Sequence, residues 1–299
     1  MHKIIKALIK PSYACELVLN RLAPYIKDDE RYIKMKYRLA MGKTLNLDNP
    51  QTYNEKLQWL KLHDQRPEYS TMVDKYEAKK YVADIVGEEY IIPTLGIYDS
   101  FDEIDFDQLP QQFVLKCTHN SGGIVICKDK SILNKQKAKR FLTKYLNKNP
   151  FLGNREYPYR NVKPRIIAEK YMVDESGIEL KDYKFFCFDG KCKMLFIATD
   201  RPKHTKFDFY DTDFNHLPFT NGHPCSKKEL KKPLRFEEMK LLAEQLSQGI
   251  PHVRVDLYNI NGAIYFGELT FFHWSGNVPF KPEEWDYKIG EWLHLPINC

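Results

Sequence analysis

Short strand-like runs joined by tight turns fill the second half of the sequence, and they restrict the possible folds more than any other feature. Seven runs are rich in β-branched and aromatic residues, at 113–116, 123–127, 166–172, 183–188, 193–198, 253–258 and 263–272. Two of the intervening turns are Asp189-Gly190 and Asn261-Gly262, dipeptides that are typical of β-hairpins. Neighbouring strands are therefore predicted to be antiparallel rather than parts of repeated βαβ units.

Helix-forming segments complete an α+β class. Helices are predicted over 54–63, 70–86, 134–147 and 236–248 from good helix formers and apolar periodicity. A chain of 299 residues that is 43% hydrophobic can bury more than one core. We divide it into a basic helical arm (1–50), a helical lead-in region (51–108) and two α+β subdomains (109–172 and 173–299).

Most of the excess of basic over acidic residues lies in the N-terminal arm. The net charge is +6, and residues 1–50 hold ten Lys/Arg against five Asp/Glu, which disfavours a nucleic-acid-binding surface elsewhere. Apolar residues alternate with these lysines, so residues 1–44 are a candidate for peripheral contact with an anionic membrane. A helical arm packed on the body, with its lysines in water, explains the pattern as well.

The lack of a recognisable signal peptide or membrane span and the spacing of the cysteines both favour the cytoplasm. The longest early apolar stretch, Ile4 to Ile9, is interrupted by Lys6 and is too short to span a membrane. Seven cysteines include no C-x-x-C pair, and several lie inside apolar runs, which favours reduced thiols. We expect a cytoplasmic protein, with the inner face of the membrane as the site of any peripheral contact.

A strand, a glycine-rich turn and a second strand form the first candidate site. Lys116 ends the first strand, and the turn is His119, Asn120, Ser121, Gly122 and Gly123. Glycines and exposed N–H groups let a backbone approach phosphate oxygens closely, and a lysine adds positive charge beside them. The pattern is not a Walker loop, because a strand follows. An ordinary hairpin turn with a solvent-facing lysine remains the alternative.

Glu169 ends an apolar strand and forms the second candidate site. Burial of this carboxylate would be costly without a partner, and a nucleotide could supply one. The backbone of Lys170, Tyr171 and Met172 would then meet an adenine edge, while Glu169 accepts hydrogen bonds from the ribose. A surface glutamate at a strand end is the alternative.

The third and most specific pattern is a hairpin that carries Arg254, Asp256 and Glu268. Strand alternation places Arg254 and Asp256 on one face. A three-residue loop at 260–262 would put Asp256 diagonal to Glu268, within reach of a shared Mg²⁺, whereas a two-residue turn would put them on opposite faces. A surface Arg254–Asp256 ion pair is the alternative.

Asp182 and Lys184 share one face of another strand. Lys184 could reach a γ-phosphate from there. A solvent-facing lysine on an alternating strand explains the residue equally well.

In this order and spacing, the motifs resemble the TupA-like group of ATP-grasp proteins, linked to teichuronopeptide and capsule synthesis. The match extends over about residues 30–295, and its most characteristic stretches are 47–63, 113–123, 166–172, 182–190 and 253–272. The resemblance implies two α+β subdomains with antiparallel sheets that clasp ATP, preceded here by a helical region.

The resemblance also assigns roles to the candidate residues. Lys75, Lys116 and Lys184 would contact phosphates, 119–123 would form the lid over the nucleotide, and Glu169 to Met172 would bind adenine and ribose. Arg254 would steady the transferred phosphoryl group. Asp256, Glu268 and Thr270 would hold Mg²⁺, although Thr270 replaces the asparagine that is usual in the superfamily.

The implied reaction is carboxylate–amine ligation through an acyl-phosphate, with ATP and Mg²⁺. The expected partners are a saccharide or lipid-linked saccharide acceptor containing a uronic acid and an amino acid or amine donor, with no nucleic acid. Four aromatic residues are candidates for stacking on sugar faces: Tyr159, Phe271, Phe272 and Trp274. A sugar kinase on the same nucleotide site is the main alternative, a glycosyltransferase is another, and a non-enzymatic membrane adaptor is the remaining class.

Overall fold

The computed structural model describes residues 11–174, 177, 180–201, 204–226 and 230–296. The first ten residues of the predicted arm, with the Ile4–Ile9 stretch, and Cys299 lie outside this part. The described helices are α1 (Pro11–Leu22), α2 (Asp29–Met41), α3 (Tyr53–His63), α4 (Tyr69–Val73), α5 (Glu77–Val86), α6 (Lys135–Leu146), α7 (Pro150–Asn154), α8 (Phe236–Leu246) and α9 (Glu284–Trp292). None of them has the length and apolar character needed to cross a membrane.

The strands form two antiparallel sheets and a two-stranded ribbon. They are β1 (Thr94–Tyr98), β2 (Phe113–Cys117), β3 (Ile124–Cys127), β4 (Ile166–Lys170), β5 (Asp182–Phe188), β6 (Lys191–Thr199), β7 (Lys206–Asp211), β8 (Thr220–Asn221), β9 (His252–Ile260), β10 (Ala263–Thr270) and β11 (Phe280–Lys281). The first sheet has the order β1-β4-β2-β3, the second β10-β9-β5-β6-β7, and β8 pairs with β11. The predicted α+β class is confirmed.

Each sheet has its own hydrophobic core. The first packs α6 on β2 through Leu115, Ala138 and Leu142, which are all buried. The second and larger core joins α3, α5 and α8 to the five-stranded sheet, where Phe185 and Val255 are fully buried. The two sheets are therefore stabilised by separate clusters of buried side chains.

The predicted helix over 70–86 is wrong as one element, because it breaks at Asp74. The backbone of Asp74 is extended, and its carboxylate Oδ1 accepts hydrogen bonds from the N–H groups of Tyr76 and Glu77. A side chain that caps the next helix in this way favours a new start over continuation. The break frees the N–H of Lys75, which donates to the carbonyl oxygen of Thr118, directly after β2, at 3.1 Å.

Strands β1 and β7 were missed by the periodicity argument. β1 lies inside the predicted lead-in region, yet it pairs with β4, with Thr94 opposite Glu169. Gly96 and Pro93 weaken its strand signal, since both residues are disfavoured in strand interiors. The first sheet consequently begins before residue 109, where the subdomain boundary was placed.

The described part of the N-terminal arm packs on the body. Tyr32 is fully buried in α2, and its hydroxyl donates to Gly153 O at 3.0 Å. Arg155 donates to Ala23 O at 2.8 Å. These contacts favour the packed-arm alternative for residues 11–44, and membrane contact by the arm stays a prediction.

Candidate functional site

A bulge in the β9–β10 hairpin brings Asp256 and Glu268 together. Of the two turns that the sequence left open, the structure has the two-residue Asn261-Gly262, with Ala263 opposite Ile260. The register then shifts between Phe266 and Glu268, and Glu268 lies directly opposite Asp256. The short turn alone would have put Asp256 and Glu268 on opposite faces of the hairpin. The extra residue, Gly267, brings the two side chains back to the same face. We call Asp256 and Glu268 the carboxylate pair.

Gly267 is required at this bulge by close backbone approach. A Cβ placed on it would lie 2.9 Å from Asp256 O and 3.2 Å from the Tyr258 ring. A backbone oxygen cannot turn aside as a flexible side chain would. The register of the carboxylate pair therefore depends on a glycine that the sequence motifs did not single out.

Arg254 forms a two-pronged ion pair with Asp256. Its Nε lies 2.7 Å from Asp256 Oδ1 and its Nη2 2.8 Å from Oδ2. Both side chains are buried, so the alternative of a surface ion pair does not describe them. Burial raises the pKa of Asp256, and Arg254 and Lys184 oppose that rise.

Glu268 is the more accessible member of the pair. Its side chain is 38% exposed, and it lies 3.5 Å from Arg254 Nη2 and 3.8 Å from Lys75 Nζ. Burial works against the charged form, but Lys75, Lys184 and Arg254 outweigh it and lower the pKa of Glu268 to about 2. Glu268 is thus a stable anion at neutral pH.

Lys184 and Thr270 complete the surroundings of the pair. Lys184 donates to Asp256 Oδ2 and lies 3.7 Å from Asp182 Oδ2, which also receives a hydrogen bond from Arg201. Thr270 Oγ1 accepts from Arg254 Nη2 at 3.1 Å. Thr270 therefore helps to position Arg254. Its role as a metal ligand stays a prediction.

Glu169 is held by two lysines in the first sheet. Lys79 Nζ lies 2.5 Å from Oε1 and Lys116 Nζ 2.6 Å from Oε2. Burial opposes ionisation, yet Lys116 and Lys79 lower the pKa of Glu169 below its ordinary value. We call these three residues the Glu169 centre. The surface-glutamate alternative does not describe Glu169, which is buried.

The rest of the predicted adenine-binding segment continues from β4 towards solvent. Lys170 donates its N–H to Pro93 O at 3.0 Å, and its side chain is exposed. Tyr171 and Met172 are half-buried. Their role in binding adenine stays a prediction.

The predicted lid divides into an anchored part and an open part. The Asn120 amide donates to Tyr145 O at 2.9 Å, and His119 Nε2 lies 3.1 Å from Lys148 O, so both side chains are tied to the end of α6. Ser121 and Gly122 are exposed, and a Cβ on Gly123 would lie 2.8 Å from Cys117 Sγ. Phosphate contacts from His119 and Asn120 would therefore come from their backbone.

Lys75 connects the two sheets. It lies at the break after Asp74, donates to Asn120 O at 2.9 Å and faces Glu268 in the second sheet. Lys116 of the Glu169 centre also contributes to lowering the pKa of Glu268. Of these residues, Lys75 and Glu268 line one cleft, together with Arg254.

The cleft has a volume of about 810 Å³ and extends from Lys75, Arg254 and Glu268 to the arm helices α1 and α2. Trp274, which is 41% exposed, is part of its wall. Of the other three predicted stacking residues, Tyr159 and Phe272 also line the cleft, whereas Phe271 is buried and does not. Left-handed backbone at Trp274 (φ 49°) and Ser275 (φ 57°) presents the indole to the cleft.

The wall of the cleft is supported by hydrogen bonds that the sequence reasoning missed. His273 Nδ1 accepts from Arg254 at 2.9 Å, so its Nε2 carries the proton and donates to Asn221 Oδ1 at 2.9 Å. Beneath the turn, Lys61 donates to Ser275 O at 2.8 Å. Burial lowers the pKa of Lys61 to about 7, against the opposing effect of Glu156.

The carboxylate pair has the chemistry of a Mg²⁺ site. It offers hard oxygen ligands on adjacent strands, and Glu268 leaves one carboxylate accessible from the cleft. Three cations, Lys75, Lys184 and Arg254, surround two anions and leave a positive balance for phosphates. Asp256 and Glu268 therefore fit as the residues that would hold the ion.

Lys79 is the main binding-site candidate that the sequence reasoning overlooked. It lies one helical turn after Lys75, at the start of α5, and this spacing was the available signal. Arg201 was also missed, because its partner Asp182 is reached only through the pairing of β5 with β6.

Comparison with known proteins matches residues 55–294 to the family described as TupA-like ATPgrasp. No curated protein has a significantly similar sequence. The chain is similar to the solved ATP-grasp ligase PsnB complexed with minimal precursor, Mg and ADP, with 10% identity, 73% of this chain covered, 57% of that chain and a TM-score of 0.41.

Two D-alanine–D-alanine ligases are also similar. The Bacillus anthracis enzyme complexed with ATP has 17% identity, 67% coverage of this chain, 54% of that chain and a TM-score of 0.39. The Helicobacter pylori enzyme has 13% identity, with 77% of this chain and 60% of that chain covered and a TM-score of 0.40. The chain thus spans less than two thirds of the length of each of these three structures.

Proposed function

Because the chain belongs to the TupA-like ATP-grasp family, we propose that it is a Mg-ATP-dependent ligase that joins a carboxylate to an amine. The observation that carries the proposal is the carboxylate pair, set opposite each other by the Gly267 bulge and surrounded by Arg254, Lys184 and Lys75. Two anions and three cations at one edge of a cleft suit a metal–triphosphate complex.

The Glu169 centre would bind the nucleoside end of ATP. Glu169 is a fixed anion at the end of β4, and its free acceptor capacity suits ribose hydroxyls. Lys79 and Lys116 hold it in place. Lys116 and Lys75 would reach the phosphates, with the backbone of 120–123 above them.

The acceptor carboxylate would attack the γ-phosphorus, so that ADP leaves and an acyl-phosphate forms. Arg254, Lys184 and Lys75 would meet the developing negative charge. Mg²⁺ held by Asp256 and Glu268 would add charge neutralisation on the phosphates. An amine would then attack the acyl carbon, an amide bond would form, and inorganic phosphate would leave.

The acceptor would lie in the 810 Å³ cleft, which is large enough for a saccharide unit. A uronic-acid-containing cell-surface polysaccharide, or its lipid-linked precursor, would supply the carboxylate, and an amino acid or other amine would be the donor. Trp274 presents an exposed indole beside Arg254 and Glu268, in a position to stack on a sugar face.

ADP release from Mg-ATP tests the ligase proposal. The wild-type chain is compared with Asp256→Asn and Glu268→Gln, in the presence of uronic-acid oligosaccharides with and without a pool of amino acids. We expect turnover only with both substrates, and a loss of about 10²-fold or more in kcat in each variant. Glu283→Gln, at an exposed glutamate remote in sequence from the pair, is the matched control.

Added hydroxylamine separates the ligase from a kinase. A ligase should yield an acyl-hydroxamate when hydroxylamine replaces the amine, because the acyl-phosphate is intercepted. Turnover with saccharide alone and a stable phosphosugar product would instead favour the kinase. ATP binding that persists unchanged in both carboxylate variants would contradict the assigned metal site.

A further inference from the structure

A second cluster of metal-ligating side chains lies at the opposite edge of the five-stranded sheet. Asp208 in β7, His216 and Cys225 place one ligand atom each within 4.8 Å of one another. β7 is the edge strand, and the carboxylate pair lies on β9 and β10 at the other side of the sheet. The cluster is therefore separate from the proposed nucleotide site.

The segment that follows β7 folds back along it and delivers two of the three ligands. Leu217 N–H donates to Phe209 O at 2.8 Å, and Phe207 N–H donates to Pro224 O at 3.1 Å. These bonds run along the free edge of β7. They fix Leu217 and Pro224, the chain neighbours of His216 and Cys225, beside the strand that carries Asp208, so backbone structure brings the three ligands together.

One carboxylate oxygen of the buried Asp208 lacks a hydrogen-bond partner among the described residues. Asp208 is 1% exposed, its Oδ1 accepts from Ser226 N at 2.8 Å, and Oδ2 is the oxygen without a partner in the described part of the chain. His216 Nε2 is 3.6 Å from Oδ1, too far for a good hydrogen bond. A buried carboxylate oxygen left without a partner is costly.

We propose that Asp208, His216 and Cys225 form a zinc site that clamps the returning segment to β7. Oxygen, imidazole nitrogen and thiolate are the ligand types that Zn²⁺ accepts together, and soft sulfur disfavours Mg²⁺ or Ca²⁺. His216 is about half exposed, so its ring can close onto the ion and a water can take the fourth position. Binding releases the Cys225 thiol proton to solvent.

The clamp would act on the wall of the cleft. Asn221, in the middle of the clamped segment, accepts from His273, and a Cβ on Gly222 would lie 3.0 Å from the Trp274 indole nitrogen. Holding this segment on β7 therefore holds His273 and Trp274. The metal site itself does not depend on the proposed ligase activity.

Cobalt(II) titration of the chelator-treated full chain tests the site. Thiolate coordination to Co²⁺ gives a charge-transfer absorption in the near ultraviolet, which carboxylates alone cannot produce. We expect saturation at about one Co²⁺ per chain, displacement by Zn²⁺, and loss of the absorption in Cys225→Ser but not in the exposed-cysteine control Cys15→Ser.

A second pair of variants tests the site independently, in case Cys225→Ser destabilises the fold. Asp208→Asn should weaken Co²⁺ binding at least tenfold, whereas Asp213→Asn, at a nearby exposed aspartate, should not. Zn²⁺ should raise the Tm of the wild type and leave that of Cys225→Ser unchanged. Equal absorption in Cys225→Ser and wild type, or saturation well below one ion per chain, would overturn the proposal.

Discussion

The Glu169 centre and the carboxylate pair both contain one more cation than anions, but they arrange these charges differently. Glu169 is one carboxylate between two lysines, each bonded to a different oxygen. Asp256 and Glu268 share Arg254, while Lys184 pairs with Asp256 and Lys75 with Glu268. The first centre holds a single anion, whereas the second sets two anions on adjacent strands opposite each other.

The two sites also differ in the burial of their charged side chains and in the elements that supply them. At the Glu169 centre, all three charged side chains are largely buried, with Glu169 and Lys116 on the first sheet and Lys79 on α5. At the carboxylate pair, Asp256 is buried but Glu268 is 38% exposed, and Lys75 comes from outside the second sheet. We expect the first to affect nucleotide affinity and the second to affect turnover.

The Gly267 bulge offers the most direct way to break the carboxylate pair without removing a charge. In Gly267→Ala, the new Cβ would meet Asp256 O at 2.9 Å, so the strands must shift and Glu268 must move relative to Asp256. Because a displacement of about 1 Å can cost about 10²-fold in rate, kcat should fall by that order while the KM for ATP changes less. Steady-state ADP release measures both parameters.

Gly153→Ala is the matched control, because a Cβ there has open space. It should leave kcat unchanged. Urea unfolding of Gly267→Ala should show a loss of about 1–3 kcal/mol, as for other overpacked sites. Wild-type kcat in Gly267→Ala would mean that the facing of Asp256 and Glu268 is irrelevant to turnover.

Glu169→Gln tests the Glu169 centre through the KM for ATP and through the pH dependence of folding stability. The loss of a charged hydrogen-bond acceptor should raise the KM for ATP by about tenfold with little change in kcat. The folded-state pKa of Glu169 lies below its unfolded value. Its ionised form therefore stabilises the fold above the unfolded pKa of about 4.3, and this contribution is lost as the pH falls through the folded pKa.

Urea unfolding from about pH 6 downward tests this dependence. Glu169→Gln should lose less stability on acidification than the wild type does, whereas Glu88→Gln, at an exposed glutamate, should follow the wild-type curve. An acid limb that is identical in Glu169→Gln and wild type would show that Lys79 and Lys116 do not hold the carboxylate in its charged form.

Sequence patterns predicted what strand alternation and local motifs determine. The α+β class, the pairing of β9 with β10, and the shared face of Arg254 and Asp256 all follow from short-range patterns in the chain. Family resemblance supplied the expectation that these stretches face one cleft.

Features that depend on three-dimensional packing were missed. The bulge at Gly267 is set by contact with Asp256 O, and the helix break at Asp74 is set by a local cap and by Lys75 bonding to Thr118 in another element. Neither leaves a periodic signal. The Asp208 cluster likewise arises only when the returning segment pairs with an edge strand that was itself not predicted.

Lys79→Gln gives the smallest expected effect and asks whether the two lysines of the Glu169 centre are equivalent. Lys79 Nζ also donates to Ile92 O at 2.7 Å, so part of its bonding orients Glu169 from the edge of the sheet. Because Lys116 still holds the carboxylate, we expect the KM for ATP to rise only about threefold, with kcat unchanged. Lys80→Gln, at the exposed neighbour, is the control. A loss of kcat larger than the change in KM would place Lys79 with the turnover residues and dissolve the distinction between the two centres.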